Sequence, residues 1–224
     1  MTTSAHYPNK FLSEAGFTLV ELLVALVVAI LGMSAILVAN LGQHQSYNTQ
    51  LQVADARQKA RGVIAMLRSD LLQGHDFTQV ANTPVSMTLA WQDTTIPPPN
   101  FTAVTYRWAA NPNQLWRGVG IGANAAAAAA ISSAPATQTV FADGIDGFNF
   151  DYQPSNAEPN YVVVSLVARA SGVDPHYSDQ DNYLTLLGNG SWPQPALNGV
   201  PLGDNFHRRF WQETVFCRNQ TQGQ

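Results

Sequence analysis

The first candidate for chemistry is an isolated acid in the longest apolar stretch of the chain. Glu21 is the only charged side chain in residues 16–39, GFTLVELLVALVVAILGMSAILVA. A carboxylate at the centre of a membrane-spanning helix costs about 2.5 to 3.5 kcal/mol on insertion scales, so such a group is normally paired or functional. Glu21 follows Phe17 by four residues and would lie one helical turn away on the same face. We therefore expect Glu21 to need a partner.

Three aspartates close together in the sequence are candidate metal ligands. Asp174, Asp179 and Asp181, with Asn182 beside them, could offer the oxygen ligands that Ca²⁺ prefers. The pattern departs from the EF-hand loop, because the glycine and the final glutamate of that loop are missing. A calcium site is therefore kept as an alternative, and the residues predict no metal and no other cofactor.

The histidines do not form a recognisable catalytic pattern. His44, His75, His176 and His207 are scattered along the chain, which has neither the HExxH spacing of zinc proteases nor the GxSxG elbow of serine hydrolases. We therefore predict that the protein is not an enzyme and that these histidines lie in solvated loops.

A basic and aromatic cluster near the carboxyl terminus is a candidate nucleic-acid site. Residues 206–211, FHRRFW, combine His207, Arg208 and Arg209 with aromatic rings of the kind on which unpaired bases stack. The formal net charge of the chain is −4, however, and only 12% of its residues are charged, whereas nucleic-acid-binding proteins are usually basic. The segment is therefore predicted to be a half-buried strand, and nucleic acid is not an expected partner.

The apolar stretch itself predicts a membrane-spanning helix. About two dozen residues, each rising roughly 1.5 Å, are enough to cross a hydrocarbon core of about 30 Å. A cleavable secretory signal would have an apolar core of about 7 to 15 residues followed by a small-residue cleavage site. Only weak candidates for such a site occur here, at 34–35 and 38–40. Residues 17–39 are therefore expected to stay in the mature protein as an anchor.

The junction between the polar amino-terminal residues and the apolar stretch resembles that of type IV prepilins and of the pseudopilins of type II secretion. It reads Gly16-Phe17-Thr18-Leu19-Val20-Glu21. The resemblance implies that residues 1–16 are a leader, which a membrane-embedded prepilin peptidase removes after Gly16 before it methylates the amino group of Phe17. It also implies that Glu21 neutralises the amino group of a neighbouring subunit in the filament, which is an assembly role and not catalysis.

Some features depart from the common pattern of that family. The leader carries Lys10 as its only firm positive charge and Glu14 near the cleavage point, no proline interrupts the apolar stretch, and Cys217 has no second cysteine for a disulfide. Orientation in the membrane therefore depends on the motif and not on flanking charges. The alternative from another class is a signal-anchored envelope binding protein in which the acid is incidental.

Two phrases in the second half of the chain resemble the PilW-type minor pilins. The residues that carry this resemblance are Phe148, Phe150, Tyr152, Arg169, Arg208, Arg209, Arg218 and Asn219. It implies a low-abundance subunit that primes or caps the assembly of a type IV pilus. The phrase MLRSDL at 66–71 is similar to J-type pseudopilins, so a subunit at the tip of a type II secretion pseudopilus is the alternative.

Both of these resemblances imply the same surroundings for the protein. The expected partners are the prepilin peptidase, other minor and major pilins, the assembly platform of the inner membrane, and membrane lipid before assembly. The chain would cross the bacterial inner membrane once, with a cytoplasmic amino terminus and a periplasmic head, and would then enter the pilus filament or its tip.

A helical pattern continues beyond the apolar stretch. An apolar stripe with the spacing of one helix face comprises Ala60, Ile64, Leu67 and Leu71. We predict one long helix from Phe17 to about Gln73, with a membrane-spanning half at 17–39 and an amphipathic half at 40–73, ended by Gly74. A free amphipathic helix or coiled coil is the alternative for the second half, although heptads are not sustained.

Residues 74–224 predict a β-rich head, because short segments rich in β-branched and aromatic residues alternate with clusters of Pro, Gly and Asn. The predicted strands are 85–91, 103–109, 114–118, 139–141, 147–153, 161–170 and 209–218. Two stretches, 118–133 and 171–204, are predicted to be surface loops. The first is expected to be mobile or weakly helical, because its alanine run favours a helix but is too short to be stable alone. The second is long enough to be an interaction surface. The predicted fold class is α+β, a pilin-like long helix packed on an antiparallel sheet.

Overall fold

The computed structural model of the chain describes residues 17–74, 77–83, 86–93, 100–110, 112–153, 161–183, 192, 194, 197 and 202–217. The chain divides into two compact units, Met1–Tyr47 and Asn48–Gln224. The predicted leader with Gly16 at its end, and the carboxyl-terminal residues Arg218 and Asn219, lie outside the described residues.

The first unit contains the beginning of helix α1, which spans Leu19–Gln73. The helix begins two residues after the predicted start at Phe17, because Thr18 caps it. The most apolar 18-residue window of α1 has a mean hydropathy of 2.9, and none of that window is buried. By length and composition, α1 is the one helix among the described residues that could cross a membrane.

In the second unit, the later residues of α1 bury one face. The buried positions recur with the period of a helix and are Ala56, Ala60, Val63, Ile64, Leu67, Asp70 and Leu71. All four residues of the predicted apolar stripe are among them. The Gly74 N–H donates to the Asp70 carbonyl at 3.3 Å, so the helix ends where the sequence predicts.

The described part of the head contains eight β-strands in two antiparallel sheets. The first sheet has five strands in chain order, β1 (Phe77–Thr83), β2 (Ser86–Asp93), β3 (Asn100–Ala110), β4 (Asn113–Gly122) and β5 (Gln138–Asp143). The second sheet has three, β6 (Ile145–Gln153), β7 (Tyr161–Arg169) and β8 (Arg208–Phe216). Strand β7 is central in its sheet and largely buried, as its apolar sequence predicts. Every predicted strand overlaps an observed one, but β1 has no counterpart among the predictions.

One hydrophobic core connects α1 with both sheets. Its large, fully buried members include Leu67 and Leu71 of α1, Leu89 and Tyr106 of the first sheet, and Phe148 and Leu166 of the second. Fully burying one large apolar side chain contributes about 1.5 to 3 kcal/mol, so the core is the main stabilising feature of the head.

The prediction of a surface loop at 118–133 is wrong, and only the weak helical tendency expected of its alanines has a counterpart in the structure. Strand β4 continues to Gly122, and a second helix, α2, follows at Ala125–Ser133. The Asn124 side chain caps this helix by accepting the Ala127 N–H at 2.8 Å. An alanine run of this length is not stable as an isolated helix. Here it is stabilised by packing, because its inner face is buried against the first sheet.

Glycines in β4 allow α2 to approach the sheet closely. An added Cβ at Gly120 would lie only 2.3 Å from the Ala128 carbonyl oxygen, and one at Gly118 would lie 2.0 Å from the Ser132 carbonyl oxygen. The helix backbone therefore occupies the space that side chains of β4 would otherwise fill.

The described residues of the predicted loop 171–204 contain no strand and no α-helix, in agreement with the prediction. They are nevertheless packed, because Tyr183, Trp192 and Leu197 form an apolar cluster with Val167 of β7. Gly147 of β6 makes room for this cluster, since a Cβ there would lie 2.5 Å from Leu197 Cδ1.

Candidate functional site

The start of α1 is organised by a reciprocal pair of hydrogen bonds between Thr18 and Glu21. The Thr18 backbone N–H and hydroxyl both donate to Glu21 Oε2 at 2.9 Å, and the Glu21 N–H lies 3.3 Å from Thr18 Oγ1, which accepts it. This is a capping box, in which a threonine and a glutamate three residues later satisfy free backbone N–H groups at a helix start. The Thr-x-x-Glu spacing was visible in the sequence and explains why the helix begins at Leu19.

The carboxylate of Glu21 keeps capacity for one more donor. Both hydrogen bonds from Thr18 go to Oε2, and Oε1 accepts none from the described residues. Phe17 is 84% exposed beside it. Both residues line a shallow cavity of about 620 Å³, whose other lining residues are Val20, Val24, Ala25, Val28 and Ala29. Glu21 is thus the single charged group of an apolar surface.

This arrangement can bind a cation, and nothing in it resembles an acid-base pair. A carboxylate in apolar surroundings gains most from a donor that is itself charged, because opposite charges attract more strongly where water is excluded. An ammonium group brought to Oε1 would fit that requirement. Gly16, the predicted cleavage residue, lies outside the described residues.

Comparisons with known proteins agree with this geometry. The sequence model of the prokaryotic N-terminal methylation motif matches residues 12–37. A type IV-like pilin from Thermus thermophilus has a similar structure, with 12% sequence identity and a TM-score of 0.50 over 73% of this chain and 97% of that one. The chain has a type IV pilin fold. No protein in a comparison with curated sequences matches it.

The aspartates considered as calcium ligands have partners within the chain. Asp179 Oδ2 accepts from Arg208 Nη1 at 2.7 Å and from the Tyr183 hydroxyl at 3.0 Å. Asp181 is exposed and contributes its backbone N–H to Asp179 Oδ1 at 3.1 Å. Within the part of the chain that the structure describes, no three or more His, Cys, Asp or Glu side chains are grouped to hold a metal ion.

Asp174, the third of these aspartates, pairs with a histidine. Its Oδ2 lies 3.0 Å from His207 Nε2, and its Oδ1 accepts the His176 N–H at 3.0 Å. These hydrogen bonds, that of His207 first, lower the pKa of the Asp174 carboxyl. The His207 ring also stacks on Tyr177, with 3.8 Å between the ring centroids. The prediction that the histidines lie in solvated loops is wrong for His207, which is buried beside β8, and for His44, which lies in α1. His75 lies outside the described residues.

Arg208 is the centre of a buried ionic cluster that the sequence reading missed. Its Nε lies 2.5 Å from Asp146 of β6, and its Nη atoms contact Asp179 and Asp204 of the loop at 2.5 to 2.7 Å. Hydrogen bonds from Arg208 lower the pKa of the Asp204 carboxyl. Because Asp146 and Arg208 are 62 positions apart in the sequence, no local sequence pattern predicts that they form an ion pair.

The basic and aromatic segment 206–211 is therefore divided between two environments. His207 and Arg208 are buried in pairs with aspartates, and the Phe206 ring lies 4.5 Å from the Arg169 guanidinium carbon. The segment continues into β8, in agreement with the predicted half-buried strand. Arg209 faces the other way and lines a cavity beside α1.

Proposed function

We propose that the protein is a minor type IV pilin made as a precursor. Prepilin peptidase cleaves after Gly16 and methylates Phe17, and the mature chain enters the pilus to prime or cap its assembly. Before assembly the apolar half of α1 anchors the chain in the bacterial inner membrane, with the amino terminus cytoplasmic and the head periplasmic. Its partners are the peptidase, other minor and major pilins and the assembly platform.

The observation that carries the proposal is that Oε1 of Glu21 accepts no hydrogen bond from the described residues, at the start of the exposed apolar part of α1. A helix with this surface requires lipid or other apolar helices around it. A single carboxylate on that surface then requires a cation, and the methylated amino group of Phe17 in a neighbouring subunit supplies one. The matched methylation motif at 12–37 supports the same processing.

The size of the head supports the proposal that the protein is a minor pilin. It combines two sheets, the sheet-bound helix α2 and a long loop packed on β7, which makes a bulky unit from Asn48 onward. A bulky head suits a subunit present once at a filament end better than one repeated along a shaft. The resemblance to PilW-type minor pilins around Phe148 and Arg208 also favours a minor role.

The second candidate is a J-type pseudopilin at the tip of a type II secretion pseudopilus. The same processing and the same use of Glu21 would apply, and the resemblance of the phrase at 66–71 to J-type pseudopilins favours this candidate. Deleting the gene distinguishes the two: loss of surface pili with normal secretion supports the pilin, and the reverse supports the pseudopilin.

Processing is tested by intact-mass and amino-terminal peptide analysis of the protein from its native membrane, in cells with and without an active prepilin peptidase. We expect N-methylated Phe17 as the first residue only when the peptidase is active. A chain that begins at Met1 in both cells contradicts the assembly role and leaves the signal-anchored binding protein as the explanation.

A further inference from the structure

The described lysine and arginine side chains of the second unit fall into two groups, those that contact an oxygen atom of the protein and those that do not. Lys59, Arg68, Arg107, Arg117, Arg169 and Arg208 all contact a carboxylate, an amide oxygen or a carbonyl oxygen. Among the described residues, Arg57, Arg61 and Arg209 contact none. Arg61 only lies over the ring of Trp211, at 5.9 Å from its centroid.

All three arginines without an acceptor line the same cavity. It has a volume of about 740 Å³ and lies between the α1 segment from Thr49 to Arg61 and Arg209 of β8. We call it the basic groove. Its remaining lining residues combine polar side chains, such as Gln58, with the apolar Val53 and Ala54. The groove belongs wholly to the second unit.

The placement of these charges is locally unfavourable. Arg57 and Arg61 are four residues apart on one face of α1, and like charges at that spacing destabilise a helix. No acid lines the groove to offset this repulsion. In addition, Arg209 Nε is buried and has no hydrogen-bond partner. A buried donor without a partner is costly, and an acceptor from outside the chain would remove that cost.

We propose that the basic groove binds an acidic segment of a partner protein. Guanidinium groups bind carboxylates through paired hydrogen bonds, and three of them converge here on one cavity. The volume exceeds that of a single inorganic anion and suits a short stretch of chain, whose apolar atoms would contact Val53 and Ala54. The inference goes beyond the proposed assembly role and does not depend on it.

Charge complementarity also argues against a second copy of this chain as the partner. Most described carboxylates of the head are already bonded within it, including Asp55, Asp70, Asp146, Asp174, Asp179, Asp204 and Glu213. A single-stranded nucleic acid would need aromatic rings for stacking, and no aromatic side chain lines the groove.

The test is calorimetric titration of the full chain in nanodiscs of neutral phosphatidylcholine at low ionic strength. The probe is an acetylated, amidated peptide of alternating glutamate and alanine, and the control peptide has glutamine in place of glutamate. We expect saturable binding of the acidic peptide only. The changes Arg57→Gln, Arg61→Gln and Arg209→Gln should each weaken it about fivefold, as for a partly exposed ion pair.

Arg68→Gln is the matched control variant, because it removes one positive charge from α1 outside the groove and should change the affinity less than about twofold. An equal loss with Arg68→Gln, or no saturable binding by the wild-type chain, overturns the proposal. Tighter binding of phosphatidylglycerol vesicles, of oligothymidine or of inorganic phosphate than of the acidic peptide also overturns it. Processing at Phe17 affects none of these readouts.

Discussion

Arg117 of β4 holds the buried carboxylate of Asp70 by two hydrogen bonds, from Nε to Oδ2 and from Nη2 to Oδ1, both of 2.8 Å. The Tyr106 hydroxyl donates to Oδ2 as well, at 2.5 Å. Burial, together with the Asp70 charge, raises the pKa of Tyr106, so its hydroxyl remains a donor at all ordinary pH values. Asp70 thus connects α1 with β3 and β4 at the centre of the head.

We expect Asp70→Asn to destabilise the head by about 3 kcal/mol, because it leaves the Arg117 guanidinium without its anion. The measurement is urea unfolding of the full chain in detergent, followed by tryptophan fluorescence. All five tryptophans lie between Trp91 and Trp211, so the signal reports on the head alone.

Arg68→Gln is the control for this prediction, since Arg68 is exposed and contacts Glu213 at 3.8 Å. It should change the free energy of unfolding by less than about 0.5 kcal/mol. Equal effects of Asp70→Asn and Arg68→Gln would show that the Asp70 pair does not stabilise the head.

The second prediction concerns the ionic cluster of the loop. Arg208→Gln leaves the carboxylates of Asp146, Asp179 and Asp204 facing one another, and removing one partner of a buried pair costs about 3 to 5 kcal/mol. Arg209→Gln is the matched control, because the adjacent guanidinium contacts no acceptor among the described residues. It should destabilise the head by no more than about 0.5 kcal/mol in the same unfolding experiment.

The pH dependence of stability provides an independent readout of the same cluster. The folded pKa of Asp204 is lowered from its ordinary value of 3.8 by the Arg208 hydrogen bonds. Its stabilising contribution is therefore present above that ordinary value and is lost as the pH falls through the folded pKa. The loss of stability on acidification should therefore be smaller in Arg208→Gln than in wild type. If the free energy of unfolding falls equally in both proteins as the pH is lowered, the ion pair of Arg208 with Asp204 does not stabilise the head.

The difference between prediction and structure has a physical pattern. Helix α1 and seven of the eight described strands could be predicted, because apolar residues such as Leu67 and Leu71 recur with the period of the element that buries them. A stable helix α2 was not predicted from its alanines, which indicate only weak helicity, since its stability comes from contact with glycines of β4. The pairs of Arg208 and Asp70 bridge distant segments and leave no local signal. The Thr18 and Glu21 capping box, by contrast, lies within four residues and could have been recognised.

The third prediction follows from the close contact of α2 with β4. Gly120→Ala places a Cβ 2.3 Å from the Ala128 carbonyl oxygen, so the helix must move away from the sheet. We expect the free energy of unfolding, measured by urea denaturation, to fall by about 1 to 3 kcal/mol, as for overpacked cores. Gly62→Ala on the open face of α1 is the control and should stabilise the helix by up to about 1 kcal/mol, since nothing lies within 4 Å of its added Cβ. If Gly120→Ala is as stable as Gly62→Ala, α2 does not pack closely against β4.

The fourth prediction concerns the single cysteine. Burial raises the pKa of the Cys217 thiol to about 12, so almost no reactive thiolate is present at pH 8. Alkylation by iodoacetamide should be roughly a thousandfold slower in the folded chain than in urea, where the pKa returns to about 8.5. Mass spectrometry of timed samples measures both rates, and prompt labelling of the folded chain would show that Cys217 is accessible.

The last prediction separates the two roles open to Glu21, helix capping and charge pairing. Glutamine at this position keeps an oxygen that accepts the Thr18 N–H and so preserves the capping box, whereas alanine removes it. Both changes remove the negative charge. If Glu21 neutralises an amino group of a neighbouring subunit, Glu21→Gln and Glu21→Ala should both lower the amount of the chain in sheared filaments at least about tenfold. Immunoblots of filaments and membranes measure this, with cleavage at Phe17 checked by mass to show that both variants are processed normally. Normal incorporation of Glu21→Gln with loss of Glu21→Ala would assign the residue to capping alone and refute the charge pair.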